Sequence, residues 1–285
     1  MRSQKLDFCH RDTLYERLKM AGTPLSEYSF SNLYLFRGLH EYEIIFDREI
    51  FIKGKTYDGF NYLMPTIDVR RLGHEYIKDM LKENNCFLFP VAEERLDFFS
   101  APDFEYSYEK QDLDYVYSVE KMSQYKGRRL HKKRSLLKQF LSLYEYEALP
   151  LVKERMKDAI NMLNEWQKET GLSSEETDFY PCMEALKMYD ELVLCGGIYY
   201  VQKEPGGFII GEELAEDMFA IHFAKARKQF RGIYQYMYNS FAKILPSKYK
   251  YFNFEQDLGK DPLRIAKASY VPDRMLKKFR VRWKG

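Results

Sequence analysis

Apolar residues recur every three to four positions through Val152, Met156, Ile160, Leu163 and Trp166. That spacing gives one apolar helical face and predicts a helix. Pro150 suits its start and Gly171 its end. A second helix is predicted over Pro181 to Asp190. Three strand-like runs follow, Leu192 to Gln202, Gly207 to Glu212 and Met218 to Ala224. The turns Glu204-Pro205-Gly206 and Ala215-Glu216-Asp217 separate them, which predicts an antiparallel meander. Ile233, Met237, Phe241, Ile244 and Leu245 mark a helix over Gly232 to Leu245, closed by Pro246. A strand at Tyr251 to Glu255, a helix near Pro262 to Ala268 and a strand at Met275 to Trp283 complete this half. Upstream, Val119 to Tyr144 reads as mostly helical and Tyr146 to Leu149 as a short strand. The first 114 residues are less regular. They suggest helices at Asp12 to Met20 and His74 to Glu83, and strands at Tyr42 to Phe46, Phe60 to Met64 and Cys86 to Val91. The stretch Leu96 to Asp114, rich in Pro, Asp and aromatics, reads as a long irregular connection.

The element order after Pro150 is helix, helix, three antiparallel strands, helix, strand, helix, strand. This is the order of a GNAT-type N-acyltransferase, a mixed, mostly antiparallel α/β fold. In that fold two central strands splay apart to admit an acyl donor and an acceptor amine.

Composition narrows the class. With 285 residues, 45% hydrophobic and 31% charged, the chain is that of a soluble globular protein, long enough for two domains. Aromatics reach 16%, with 24 Tyr and 21 Phe. No apolar run approaches the roughly 20 residues that span a bilayer. The start, MRSQKLDFCHRDTLYERLK, is too charged for a secretory signal. Cys9, Cys86, Cys182 and Cys195 are far apart and form no CxxC pair, so reduced thiols in a cytosol are the simplest reading. The five histidines are scattered without metal-ligand spacing, and no metal site is expected. The net charge of +2 conceals an asymmetry. Residues 1–114 carry 15 basic and 21 acidic side chains, whereas residues 115–285 carry 30 and 22. The second half is therefore the place to seek an anionic ligand such as phosphate, CoA or RNA.

Four segments could carry chemistry. Lys121 to Lys138 holds eight Lys or Arg residues and no acid. On a continuous helix Arg128, His131, Lys132 and Ser135 would share a side. Eight like charges repel, and phosphates would relieve that repulsion; a solvated helix face explains the run about as well. Gln229 to Tyr234 lies between a strand and a helix, where GNAT enzymes place a Q/R-x-x-G-x-G/A loop for the pyrophosphate of CoA. Gln229 and Gly232 fit that pattern. Tyr234 replaces its small last residue and would crowd pyrophosphate, and an ordinary glycine turn is the competing reading. In the strand pair, alternation sets His222 and Ala224 on one face and Phe223 and Lys225 on the other. Glu212 or His222 beside a splayed sheet could deprotonate a nucleophile; a hydrogen-bonded core histidine and solvated turn glutamates are the plain alternatives. Glu255 and Asp257 end a strand, and Arg264 and Lys267, three apart on a helix, could face one site. That group suits a substrate clamp or an ion network that fixes a loop.

Taken together, these segments resemble the phosphatidylglycerol lysyltransferase C-terminal-domain family. The resemblance rests on KGRRLHKKR (126–134), GFIIGE (207–212), HFAKA (222–226), GIYQ (232–235) and NFEQDLGKDPLRIAKASY (253–270). It covers most of residues 115–285, with only general similarity before that. It implies tandem GNAT-like domains, 1–118 and 119–285, related to Fem-type and leucyl/phenylalanyl transferases. It also implies an acyltransferase that moves an aminoacyl group from aminoacyl-tRNA to an amine or hydroxyl acceptor. The catalytic candidates are Glu212, His222, Lys225, Glu255 and Asp257. The substrate-binding candidates are His131, Lys132, Lys133, Arg134, Gln229, Gly232, Tyr234, Arg264, Lys267 and Tyr270. An acyl-CoA donor, or RNA binding without transfer, are the alternatives. Three positions depart from the family pattern: Ser135 stands for its Asn, Ala224 for its Glu and Phe254 for its Arg. The large membrane domain of the lysyltransferases is not in this sequence, so a lipid acceptor is not carried over.

Overall fold

A computed structural model describes residues 2–285. In chain order the first strands are β1 (Arg2–Lys5), β2 (Glu43–Phe46), β3 (Ile50–Lys55), β4 (Asn61–Pro65), β5 (Phe87–Ala92), β6 (Phe104–Tyr108) and β7 (Asp114–Ser118). Those that follow are β8 (Tyr146–Pro150), β9 (Cys195–Val201), β10 (Glu204–Ala215), β11 (Met218–Ala226), β12 (Tyr251–Asn253), β13 (Arg274–Leu276) and β14 (Lys278–Trp283). They form two seven-stranded sheets, ordered β1-β2-β3-β4-β5-β14-β6 and β8-β9-β10-β11-β12-β7-β13.

The two orders are the same arrangement built twice. In each, four strands run antiparallel and the fourth pairs parallel with the fifth across a helix. Strand β14 lies sixth in the first sheet and β7 sixth in the second, so each sheet takes that strand from the far end of the other half of the chain. Accordingly, one compact unit comprises the chain up to Asp114 with Gln256–Arg264 and Met275–Gly285. The other comprises Tyr115–Glu255 and Ile265–Arg274. A single break after residue 118 does not describe this division, because the two C-terminal segments return to the first unit.

In each sheet the parallel pair starts together and then separates. In the first unit only Tyr62↔Phe87 and Leu63↔Leu88 are in register. In the second, the β11–β12 ladder holds Met218↔Tyr251, Phe219↔Phe252 and Ala220↔Asn253, while β11 runs on to Ala226. Gly207 to Glu212 are all buried, so both faces of β10 are covered, as in a sheet between helix layers. Helices Met156–Thr170 and Ile233–Ile244 both pack on β10 and β11. At the Ile210/Gly211 register shift, a Cβ on Gly211 would lie 1.9 Å from the Ala220 carbonyl oxygen, so only glycine fits. In the first unit, helix His74–Asn84 buries Ile77, Met80 and Leu81 against Phe51, Leu63, Leu88, Phe279 and Val281.

Four expectations change. Val119 to Tyr144 is not one helix. It breaks between Val119–Gln124 and His131–Leu143, with Tyr125 left-handed and buried, so Arg128 stands in the turn and cannot share a helix face with His131. Pro150 ends β8, and the helix starts at Met156. The stretch 96–114 contains β6. The strand expected at Met275 to Trp283 is two strands in two sheets.

Candidate functional site

Helix Met156–Thr170, helix Ile233–Ile244 and the separated ends of β11 and β12 bring most of the sequence candidates into the second unit. The register pairs Ile210 with Phe223 and Gly211 with Ile221, which leaves His222 as the extra residue of a bulge, so the alternation expected between His222 and Lys225 does not carry across it. His222 Nε2 lies 2.9 Å from Glu212 Oε1, and Nδ1 lies 2.7 Å from Glu255 Oε1. The ring is fully buried. Burial alone would drive its pKa down, but the Glu255 and Glu212 carboxylates outweigh that and lift it to about 10. At neutral pH it is an imidazolium with both N–H groups donated. It has no lone pair to take a proton, so the expectation of His222 as a base is corrected. It holds two carboxylates in place instead. Glu255 follows β12 at φ +58°, and its backbone N–H donates to Asn253 Oδ1 at 2.7 Å. Glu212 is buried, whereas the Glu255 side chain keeps 13% of its surface exposed.

Farther along β11, Lys225 Nζ sits 2.5 Å from Asp178 Oδ1 and 4.0 Å from the centre of the Trp166 ring. Tyr234 is pushed up to about 12 by burial and hydrogen-bonds to Trp166 and the Ala226 backbone. Next to it stands an aromatic group formed by Tyr117, Tyr125, Tyr238, Phe254 and Tyr270. The Phe254 ring centre lies 4.8 Å from that of Tyr238 and 4.7 Å from that of Tyr117, tilted against both. Gln235 donates to the Tyr270 hydroxyl at 2.7 Å. Lys133 Nζ lies 3.9 Å over the Tyr270 ring, and burial lowers its pKa.

The remaining candidates divide. Lys267 donates to the carbonyls of Phe254 at 2.6 Å and Glu255 at 3.2 Å, tying down the end of β12. Arg264 grips the buried Asp257 through Nε at 2.9 Å and Nη2 at 3.2 Å, in the first unit. The expectation that Arg264 and Lys267 face one substrate is therefore replaced by two loop-fixing contacts. Arg134 donates to the carbonyls of Tyr125 and Gly127 and shapes the turn before its helix. Lys126, Arg128, Arg129, His131, Lys132 and Lys138 are exposed around the start of helix His131–Leu143. Gln229 is exposed. Gly232 is left-handed at φ +87°, and a Cβ there would lie 2.3 Å from the Leu136 carbonyl oxygen. Its glycine is thus required by close helix packing.

Sequence reasoning missed the charges buried in the first unit. Lys278 is fully buried, with Nζ 2.7 Å from Glu27 and from Asp114, 2.9 Å from Ser26 and 3.2 Å from Gln256. Arg280 pairs with Asp58 at 2.7 and 3.0 Å and with Asp112 at 2.7 Å. The strand pattern Lys278-Phe279-Arg280-Val281 reads as cations facing solvent and apolar residues facing the core. Both faces of β14 are covered instead. The acids that pair with these cations lie more than 150 residues away in sequence, beyond the reach of local spacing.

A twice-built sheet whose central parallel pair diverges defines a tandem GNAT-type fold of the acyl- and aminoacyl-transferases. The chain belongs to the family described as phosphatidylglycerol lysyltransferase, C-terminal, which it matches over residues 20–282. Among solved structures it is similar to a conserved protein of unknown function from Bacteroides thetaiotaomicron, with TM-score 0.85, 23% identity and 100% of both chains covered. It is similar in fold to L-PGS from Bacillus licheniformis, with TM-score 0.60, 12% identity, and 96% of this chain and 92% of that one covered. It also resembles FemX in fold, with TM-score 0.56, 8% identity, and 99% and 97% covered. An uncharacterized protein of Mycoplasmoides gallisepticum is 22% identical over 179 residues, 61% of this chain and 57% of that relative's length. Among the described residues no helix is long and apolar enough to cross a membrane.

Proposed function

We propose that the second unit transfers an aminoacyl group from aminoacyl-tRNA to an amine or hydroxyl acceptor. The observation that carries this reading is the divergence of β11 and β12. Their ladder ends at Ala220/Asn253, and among the described residues no strand pairs with β11 on that side from Ile221 to Ala226. The donor ester lies in this gap, where backbone groups of β11 can stabilise the oxyanion. The acceptor's nitrogen or oxygen bonds to the ester carbonyl carbon, the bond to the ribose oxygen breaks, and the acceptor's proton passes to Glu255 and from there to the departing ribose oxygen, which leaves as the hydroxyl of the tRNA. His222 positions that carboxylate and Glu212 beside it. The exposed cations from Lys126 to Lys138 meet the phosphates of the donor, at a helix N-terminus whose dipole adds to their field. Family membership supports the same chemistry.

Two observations weigh against an acyl-CoA donor. The Gly232 turn is closed by Leu136, and the Tyr234 hydroxyl is already engaged by Trp166 and Ala226. A second reading, RNA binding without transfer, is favoured by the doubly engaged His222 ring, which leaves a carboxylate as the proton acceptor.

The test is single-turnover transfer from radiolabelled aminoacyl-tRNA pools to amine and hydroxyl acceptors, with tRNA binding measured at several salt concentrations. Transfer that is lost in Glu255→Gln while salt-sensitive binding persists establishes the first reading. Binding with no transfer to any acceptor establishes the second. A thermal shift with CoA but not with tRNA sinks both.

A further inference from the structure

The first unit contains a small cavity beside the separating strands β4 and β5, with about 20 Å³ open to a water-sized group. Its wall includes Glu27, Asp112, His40, Tyr42, Tyr57 and Tyr62, and no lysine or arginine lines it. Lys278 and Arg280 hold these carboxylates without themselves lining the cavity. Its polar capacity is not used up. His40 is 7% exposed, and its Nδ1–H donates to the Lys55 carbonyl at 2.7 Å. Nε2 has no protein partner among the described residues. Burial holds His40 below its usual pKa, so the ring is neutral at pH 7 and Nε2 presents a lone pair. The Tyr42 and Tyr62 hydroxyls share one hydrogen bond at 3.0 Å, which uses one of their two protons.

We propose that this cavity binds the ammonium end of a primary alkylamine. The carboxylates of Glu27 and Asp112 face it with negative charge, His40 Nε2 accepts one of its N–H bonds, and the rings of Tyr42, Tyr57 and Tyr62 surround the cation. An alcohol of the same length would find the same walls without the charge complement. A phosphate or carboxylate would be repelled by the carboxylates of Glu27 and Asp112. Glu27, lifted to about 7 by burial against the pull of Lys278, gains a second cation when an ammonium docks, which favours its ionised form. The assignment stands apart from the transfer reading, since every residue named lies in the first unit.

The test is NMR on the full chain, following the His40 ring resonance, identified as the one absent from His40→Gln. The probes are n-butylamine and n-butanol at matched pH and ionic strength. A saturable shift with butylamine at millimolar concentration and none with butanol is expected. In Glu27→Gln the amine should bind about tenfold more weakly. Equal response to both probes, no response to either, or unchanged affinity in a folded Glu27→Gln overturns the proposal. Should Glu27→Gln not fold, the amine and alcohol comparison on the wild-type chain decides.

Discussion

Replacing Glu255 by Gln removes one of the two carboxylates that keep His222 charged, and the consequence can be worked out. Burial opposes protonation of the ring, and two carboxylates at 2.7 and 2.9 Å overcome it to lift the pKa from 6.5 to about 10. One unit charge about 4 Å away, at an effective dielectric near 20, contributes about 4 kcal/mol. That corresponds to about three pH units, since each unit is about 1.4 kcal/mol. Glu255→Gln should therefore bring the His222 midpoint down to about 7. The stability consequence has a definite sign. The folded pKa lies above the unfolded one, so the contribution is complete below pH 6.5 and is lost as pH rises through 10. The variant should be less stable than the wild type by about 4 kcal/mol at pH 6, with the gap closing as pH approaches 10. Titration of the ring by NMR and denaturant unfolding at both pH values measure these quantities. A wild-type His222 midpoint at or below 7, or one that Glu255→Gln leaves unmoved, would refute the electrostatic account of the clamp.

Three further outcomes are expected. Lys278→Met strands Glu27 and Asp114 in the core and should cost about 3–5 kcal/mol in equilibrium unfolding; a loss under about 1 kcal/mol would mean the acids are solvated. Gly232→Ala puts a Cβ against the Leu136 carbonyl at a left-handed position. It should destabilise the chain by at least about 1–3 kcal/mol, read as a lowered unfolding midpoint, and a neutral result would show that the two helices can part. Replacing Lys126, Arg128, Arg129 or Lys132 singly by Gln should flatten the salt dependence of tRNA binding by about one in log–log slope per residue. The same change at Arg134, which serves backbone carbonyls, should act through stability instead.

The sequence by itself determined the elements whose environment is regular. The meander of β9, β10 and β11 and helices Met156–Thr170 and Ile233–Ile244 follow from periodicity and from turn residues at their ends. The segments that mark the family were also legible, as a string of short motifs in order. Tertiary structure decided what those residues do. His222 could be read as a base until Glu212 and Glu255 were found on both nitrogens, a meeting set by the register of β10 on β11 and the turn after β12. Arg264 and Lys267 look like one paired cation site on a helix, yet one grips a buried carboxylate and the other two carbonyls. The strand at the C-terminus reads as a single element, but it changes sheet at Lys277, and its cations pair with acids from the first 114 residues. Periodicity reports only which side of an element is apolar. Which distant charge meets a buried cation depends on strand order and register across the whole sheet, and no local pattern carries that information.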